Sequence, residues 1–230
     1  MTALGDSTPE VALVVAIDGP SGSGKSTVAR RVAERLGYLY LDTGAMYRGV
    51  GVLAAEAGVS PDDEAAVVAV ARKARLRFDG GGRLHAGERD LSEAIRTLEA
   101  GGLASRVSAL PDVRRLLVEQ QRALARERGV VMEGRDIGTN VFPEAAVKVF
   151  LTAEPDVRAG RRLLELRAAG GDVTYEEVVA SVVERDRRDE ERAVAPLRRA
   201  QDAVEVDTTA LSLEEVVAAV ESIARRRLGL

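Results

Sequence analysis

The sequence predicts a three-layer α/β/α domain built on a parallel sheet of five strands. Three observations carry that expectation. A short β-branched run at 11–17 breaks at Asp18-Gly19-Pro20, a helical pattern follows at once, and four more short apolar runs at 38–41, 130–132, 147–151 and 203–206 have helical patterns interleaved among them. At 230 residues the chain can bury one sizeable core with room for a small insertion, and is too short for two large domains.

Taken in order, 11–17 is apolar without alternation, as expected of a strand covered on both faces. At 25–36, Val28, Val32 and Leu36 share one helical stripe while Arg30, Arg31, Glu34 and Arg35 fill the other sides, and Gly37 supplies a left-handed stop. A strand at 38–41 and a helix at 45–57 come next. Between 60 and 105 the alternation breaks: a helix, then Leu76-Arg77-Phe78, the turn Asp79-Gly80-Gly81-Gly82, Leu84-His85-Ala86 and a further turn at Gly87. That reads as a small antiparallel insertion. Strands three and four follow at 130–132 and 147–151. The helix at 155–169 opens on a proline, and Thr174 with Glu177 forms a capping box that opens another. Strand five at 203–206 leads into a last helix at 212–227, whose Ser212 and Glu215 form a second box. The expected units are a flexible tail at 1–10, a core made of 11–59, 105–154 and 196–230, the insertion at 60–104, and arginine-bearing helices at 155–195.

Composition narrows the function. The apolar fraction of 46% and charged fraction of 30% are those of an ordinary globular protein. No apolar run approaches the roughly 20 residues that span a bilayer, and the first ten residues hold Asp6 and Glu10 rather than a basic segment followed by an apolar one, so the cytoplasm and no membrane are expected. With no cysteine, disulfides, thiolate metal sites and cysteine nucleophiles are excluded, and metal chemistry is limited to oxygen ligands. A net charge of −4 and an aromatic content of 3% give neither a field nor a stacking surface for nucleic acid. A monomer is expected.

Gly19-Pro20-Ser21-Gly22-Ser23-Gly24-Lys25-Ser26 satisfies the phosphate-loop pattern in the context that pattern requires, between a strand and a helix. Glycines let backbone N–H groups turn inward around a polyphosphate, the helix N-terminus adds positive potential, Lys25 brings a mobile cation, and Ser26 can bind Mg²⁺. A nucleoside triphosphate with Mg²⁺ is therefore expected, with Thr27 and Arg162 beside the phosphates, though the loop alone does not separate kinases from GTPases or motor ATPases. At the end of the third strand, Glu133-Gly134-Arg135-Asp136 brings an arginine and two carboxylates to the carboxyl edge of the sheet, where open α/β sheets bind ligands. Arg185, Asp189 and Arg192, at i, i+4 and i+7, are expected on one helical face, with Arg188 next to it. A face laced with ion pairs such as Glu184 with Arg188 is the plain alternative. Arg158, Arg161 and Arg162 could add charge from the preceding helix. His85 is expected to be structural, and Tyr38, Tyr40, Phe142 and Phe150 to belong to the core.

These motifs together resemble the bacterial cytidylate kinases. The resemblance runs from about residue 11 to the end, through the phosphate loop, Asp42-Thr43-Gly44-Ala45-Met46-Tyr47-Arg48, Ser92-Glu93-Ala94-Ile95-Arg96-Thr97, Gly134-Arg135-Asp136, and the stretch from Glu184 to Leu197. It implies a P-loop kinase fold whose antiparallel insertion binds the nucleoside monophosphate and whose arginine helices form a lid. It implies transfer of the γ-phosphoryl group of ATP to CMP or dCMP. Residue by residue, it implies that Thr43, Ser105, Arg114 and Asp136 line the cytosine and ribose pocket with Arg185 and Asp189 at the sugar. Arg48, Arg135 and Arg192 would hold the acceptor phosphate, Asp42 would support the acceptor side near Mg²⁺, and Arg188 would reach the transferring phosphoryl. Departures are small: Thr43 where serine is also found, Ser26 where glycine occurs, and Glu133 where aspartate is common. Kinases of UMP, AMP or shikimate would share the phosphate loop and differ at Thr43, Ser105, Arg114 and Asp136, while a regulatory nucleotide-binding module would need no acceptor pocket.

Overall fold

The computed structural model describes residues 13–126 and 128–230, so the expected tail at 1–10 lies outside the described residues. Five parallel strands, β1 (Val14–Asp18), β2 (Leu39–Asp42), β6 (Val130–Gly134), β7 (Val147–Thr152) and β8 (Val204–Asp207), form one sheet in the order β2-β6-β1-β7-β8. Asp18 lies opposite Gly134, and Asp42 opposite Glu133, so the chemistry-bearing ends of three strands share one edge.

Strand β1, from the run expected to be covered on both faces, is so covered. In β1, Val15 and Ile17 face one cluster with α1 (Lys25–Leu36) and α8 (Leu213–Leu228), while Val14 and Ala16 face another with Val118 and Ala125. Alternate side chains of a strand point to opposite faces, so an unbroken apolar run serves both layers. Gly37 ends α1 at φ 68°, as expected. Both capping boxes form, Thr174 with Glu177 ahead of α7 (Tyr175–Glu191) and Ser212 with Glu215 ahead of α8.

The insertion is antiparallel, with β3 (Leu76–Phe78), β4 (Leu84–Ala86) and β5 (Arg89–Asp90) in that order. His85 sits in it with Nε2 3.2 Å from Asp79. The sheet rests on α2 (Thr43–Glu56) and α3 (Glu64–Ala74). Two helices that the sequence reading passed over, α4 (Leu98–Val107) and α5 (Pro111–Leu124), complete this cluster around Met46, Val50, Leu84, Val107 and Leu117. Gly49 permits the contact: a Cβ there would lie 2.7 Å from Leu84 Cδ2. Helix α6 (Pro155–Ala168) pairs with α7 through Ala159, Leu166, Val178 and Val182. Among the described residues no helix is long and apolar enough to cross a membrane.

Candidate active site

The turn after β1 is shaped by close approach. A Cβ on Gly19 would fall 2.0 Å from the carbonyl oxygen of Leu151, and one on Gly22, at φ 76°, 2.5 Å from that of Arg158. Side chains are excluded there, so the loop closes tightly over the sheet edge. Lys25 is buried and turns back on its own loop, donating to Pro20 O at 2.5 Å and to Ser23 Oγ at 3.3 Å. Burial, with the charge of Arg135 next, pushes its pKa down to about 7. Ser21, Gly22, Gly24, Lys25, Ser26 and Thr27 line a pocket with Asp42, Arg48, Glu133, Arg135, Arg162 and Arg185.

Across the same edge, Asp42 caps α2 by accepting from Ala45 N at 2.8 Å and pairs with Arg48 Nη2 at 2.6 Å. Burial favours its neutral form, yet Arg48 holds its carboxyl below the ordinary range. Thr43 donates to the carbonyl of Glu133 at 2.7 Å, and Tyr40 to the Glu133 carboxylate at 2.6 Å. Burial and neighbouring Asp42 push the Glu133 pKa up.

A second pocket opens beside the first and shares Gly44, Gly134, Arg135 and Arg185 with it. Here Asp136 is clamped between two arginines: it accepts from Arg114 Nη2, and Arg192 Nη2 lies 3.4 Å away. Arg135 donates to Asp189 Oδ2 at 2.8 Å, with Arg185 Nε 3.8 Å from the same oxygen. Against the upward pull of burial, Arg135 and Arg185 hold the Asp189 carboxyl low, while burial and the charge of Arg135 push Arg185 down to about 9.

Several placements differ from the sequence reading. Arg192 does not continue the helical face of Arg185 and Asp189. Helix α7 stops at Glu191, Arg192 is extended at φ −58° and ψ 138°, and Leu197 N returns to Asp189 O at 2.7 Å. Pro196 disfavours helix in the residue before it, and the chain turns back instead. Arg192 still reaches the pocket, donating to Ala195 O at 2.6 Å and to Ser108 Oγ at 3.3 Å. Of Arg158, Arg161 and Arg162, only Arg162 lines the first pocket. Arg158 is spent on Ala153 O, Ser21 O and Asp186, and Arg161 on Thr208. Arg188 lines neither pocket and pairs with Glu184 at 3.2 Å, the contact that the plain alternative anticipated. Ser105, next in sequence to Ala104 of the second pocket, is buried and does not line it, and its Oγ has no partner.

Three residues were missed. Ser108 lines the second pocket and accepts from Arg114 Nη1 through its carbonyl at 3.3 Å. Tyr47 lines it too, with Arg114 5.6 Å from its ring centroid. Asp18, 5% exposed at the end of β1, accepts from the N–H groups of Ile137 and Gly138, both at 2.8 Å. Burial pushes its pKa up to about 7 in spite of those two donors.

The matching family model, described as Cytidylate kinase, covers residues 15–226. The chain belongs to the cytidylate kinase family. Relatives named cytidylate kinase include one from Geobacter sulfurreducens, 49% identical over 218 residues that make up 94% of each chain. One from Carboxydothermus hydrogenoformans is 50% identical over 93% of this chain and 97% of its own. Another from Citrifermentans bemidjiense is 48% identical over 96% of both. The cytidylate kinase match thus takes in both pockets and the arginine helices.

Proposed function

We propose that the chain transfers the γ-phosphoryl group of ATP to CMP and dCMP, giving ADP with CDP or dCDP. The observation that carries this reading is the shared wall: a phosphate-loop pocket and an arginine-lined pocket meet at Gly44, Gly134, Arg135 and Arg185, which suits two phosphates brought end to end. In this reading 60–104 and 155–195 serve as acceptor-binding unit and lid over the core.

The loop from Gly19 to Thr27, with Arg162, binds the triphosphate through inward N–H groups and Lys25. Arg48, Arg135 and Arg192 orient the acceptor phosphate, and Arg185 and Asp189 the sugar. Asp136 accepts from the N4 amino group of cytosine, while Arg114 or Ser105 donates to its ring acceptors. Uracil presents an acceptor to the same carboxylate. The groups left unpaired cost about 1–3 kcal/mol each, enough for roughly ten- to hundredfold preference for cytosine. No strong base is needed, because the attacking oxygen is already anionic and the protein's task is alignment and charge stabilisation. Arg188, released from Glu184, would meet the transferring phosphoryl. Ser26, Asp42 and Glu133 line the first pocket among its basic residues, and their side-chain oxygens would hold Mg²⁺ arriving on nucleotide phosphates. When bound, Mg²⁺ neutralises the phosphate oxygens.

An ADP-release assay with Mg·ATP and CMP, dCMP, UMP or AMP tests this. CMP and dCMP should dominate, and Arg188→Ala should cut kcat about a thousandfold with little change in the KM of CMP. If no monophosphate stimulates ADP release while ATP still binds, the acceptor assignment fails.

A further inference from the structure

The loop that follows β6 presents an anomaly of capping. Asp136 stands at the N-cap of a single π turn, Ile137–Val141, and aspartate is among the best residues for that position. Yet its side chain makes no cap hydrogen bond. The carboxylate points instead into the acceptor pocket, where it meets Arg114 and Arg192, and one of its oxygens accepts from the side chain of Asn140 in the turn at 3.2 Å. The backbone carbonyl of Asp136 is fully used within the turn, accepting from Asn140 and Val141 at 2.9 and 3.1 Å. The first N–H groups of the turn would then be orphans, because such groups have no partner inside their own turn.

Asp18 removes that deficit from another strand. Its two carboxylate oxygens take one N–H each, Oδ1 from Ile137 and Oδ2 from Gly138. The β1–β6 register, with Asp18 opposite Gly134, puts it there. A carboxylate is otherwise costly at a site 5% exposed.

We propose that Asp18 is a positioning residue for base recognition: by capping the π turn from β1, it leaves the Asp136 carboxylate free to face the acceptor base. The proposal rests on the reading that Asp136 recognises cytosine. Without Asp18, the Asp136 carboxylate is drawn back to the N–H groups of its own turn and out of the pocket. Asp18 touches neither substrate and acts only through the loop.

The test compares kcat/KM for CMP and UMP in the wild type, Asp136→Ala and Asp18→Asn, with the KM of ATP measured alongside. Asparagine keeps the shape but turns an NH₂ group toward one of the two N–H donors. The preference for CMP should fall about tenfold in Asp18→Asn, toward the value in Asp136→Ala. The KM of ATP should move by less than about twofold. A merely structural role would lower the fraction of folded enzyme and scale both rates alike, so an unchanged ratio overturns the proposal. Asp18→Glu, which keeps the charge and both oxygens on a longer stem, should fall between the wild type and Asp18→Asn. It stands in if the asparagine variant does not fold, and a wild-type ratio in it then overturns the proposal. A wild type without preference, or an Asp136→Ala that retains it, sinks the base assignment and the proposal with it, and does so in proteins where Asp18 is intact.

Discussion

The two pockets meet at one sheet edge but are made in opposite ways. The phosphate loop at 19–26 is eight contiguous residues held by backbone geometry, with glycines where a Cβ would strike Leu151 or Arg158. The acceptor pocket gathers side chains from Thr43 to Arg192, and buried ion pairs hold it: Arg114 and Arg192 on Asp136, Arg135 and Arg185 on Asp189. Removing a side chain of the phosphate loop should therefore harm its chemistry and leave its fold intact. In the second, each loss strands a charge, and chemistry and stability fail together.

Lys25→Met puts that contrast to its hardest test. Lys25 bonds only within its own loop, so kcat should drop by about 10²–10³ while the melting temperature holds or rises. A large loss of stability would erase the distinction. Asp136→Ala should behave in the opposite sense, leaving buried Arg114 unpaired and costing about 3–5 kcal/mol in urea unfolding as well as base preference. The smallest effect sharpens the boundary between the pockets. Asp18 has a folded pKa of about 7 against an ordinary 3.8, so between those values the folded state holds a proton that the unfolded chain has released. Its contribution is then fully present below pH about 4 and is lost as pH rises to about 7, with a slope of at most about 1.4 kcal/mol per pH unit. The stability difference between wild type and Asp18→Asn should slope in that sense over pH 4–7, and a flat difference would deny Asp18 its raised pKa.

What could be read from the sequence follows the same division. The phosphate loop, the five strands and both capping boxes are contiguous patterns governed by local rules, and each appears where expected. The acceptor pocket depends on distant segments. Arg185 and Asp189 could be paired by helical spacing, but Arg192 could not, because the helix ends one residue earlier and only Pro196 hinted at it. Ser108 acts partly through a carbonyl, which has no residue signature, whereas helix α5 was overlooked although Pro111 opens it and Val113, Leu117 and Gln121 recur at helical spacing on its buried face. Asp18 is opaque for another reason: its partners are backbone N–H groups 119 and 120 residues away, brought near by strand pairing alone.

The clamp on Asp136 and Asp189 has an electrical consequence. Arg114, Arg135, Arg185 and Arg192 face only these two carboxylates among the residues lining the acceptor pocket, so two positive charges remain uncompensated there. A phosphomonoester brings close to two negative charges at neutral pH, and the filled pocket becomes neutral. A nucleoside brings none and would leave like charges confronting one another. On the proposed reading, charge balance thus favours the phosphorylated over the unphosphorylated nucleoside, apart from any contact with its base.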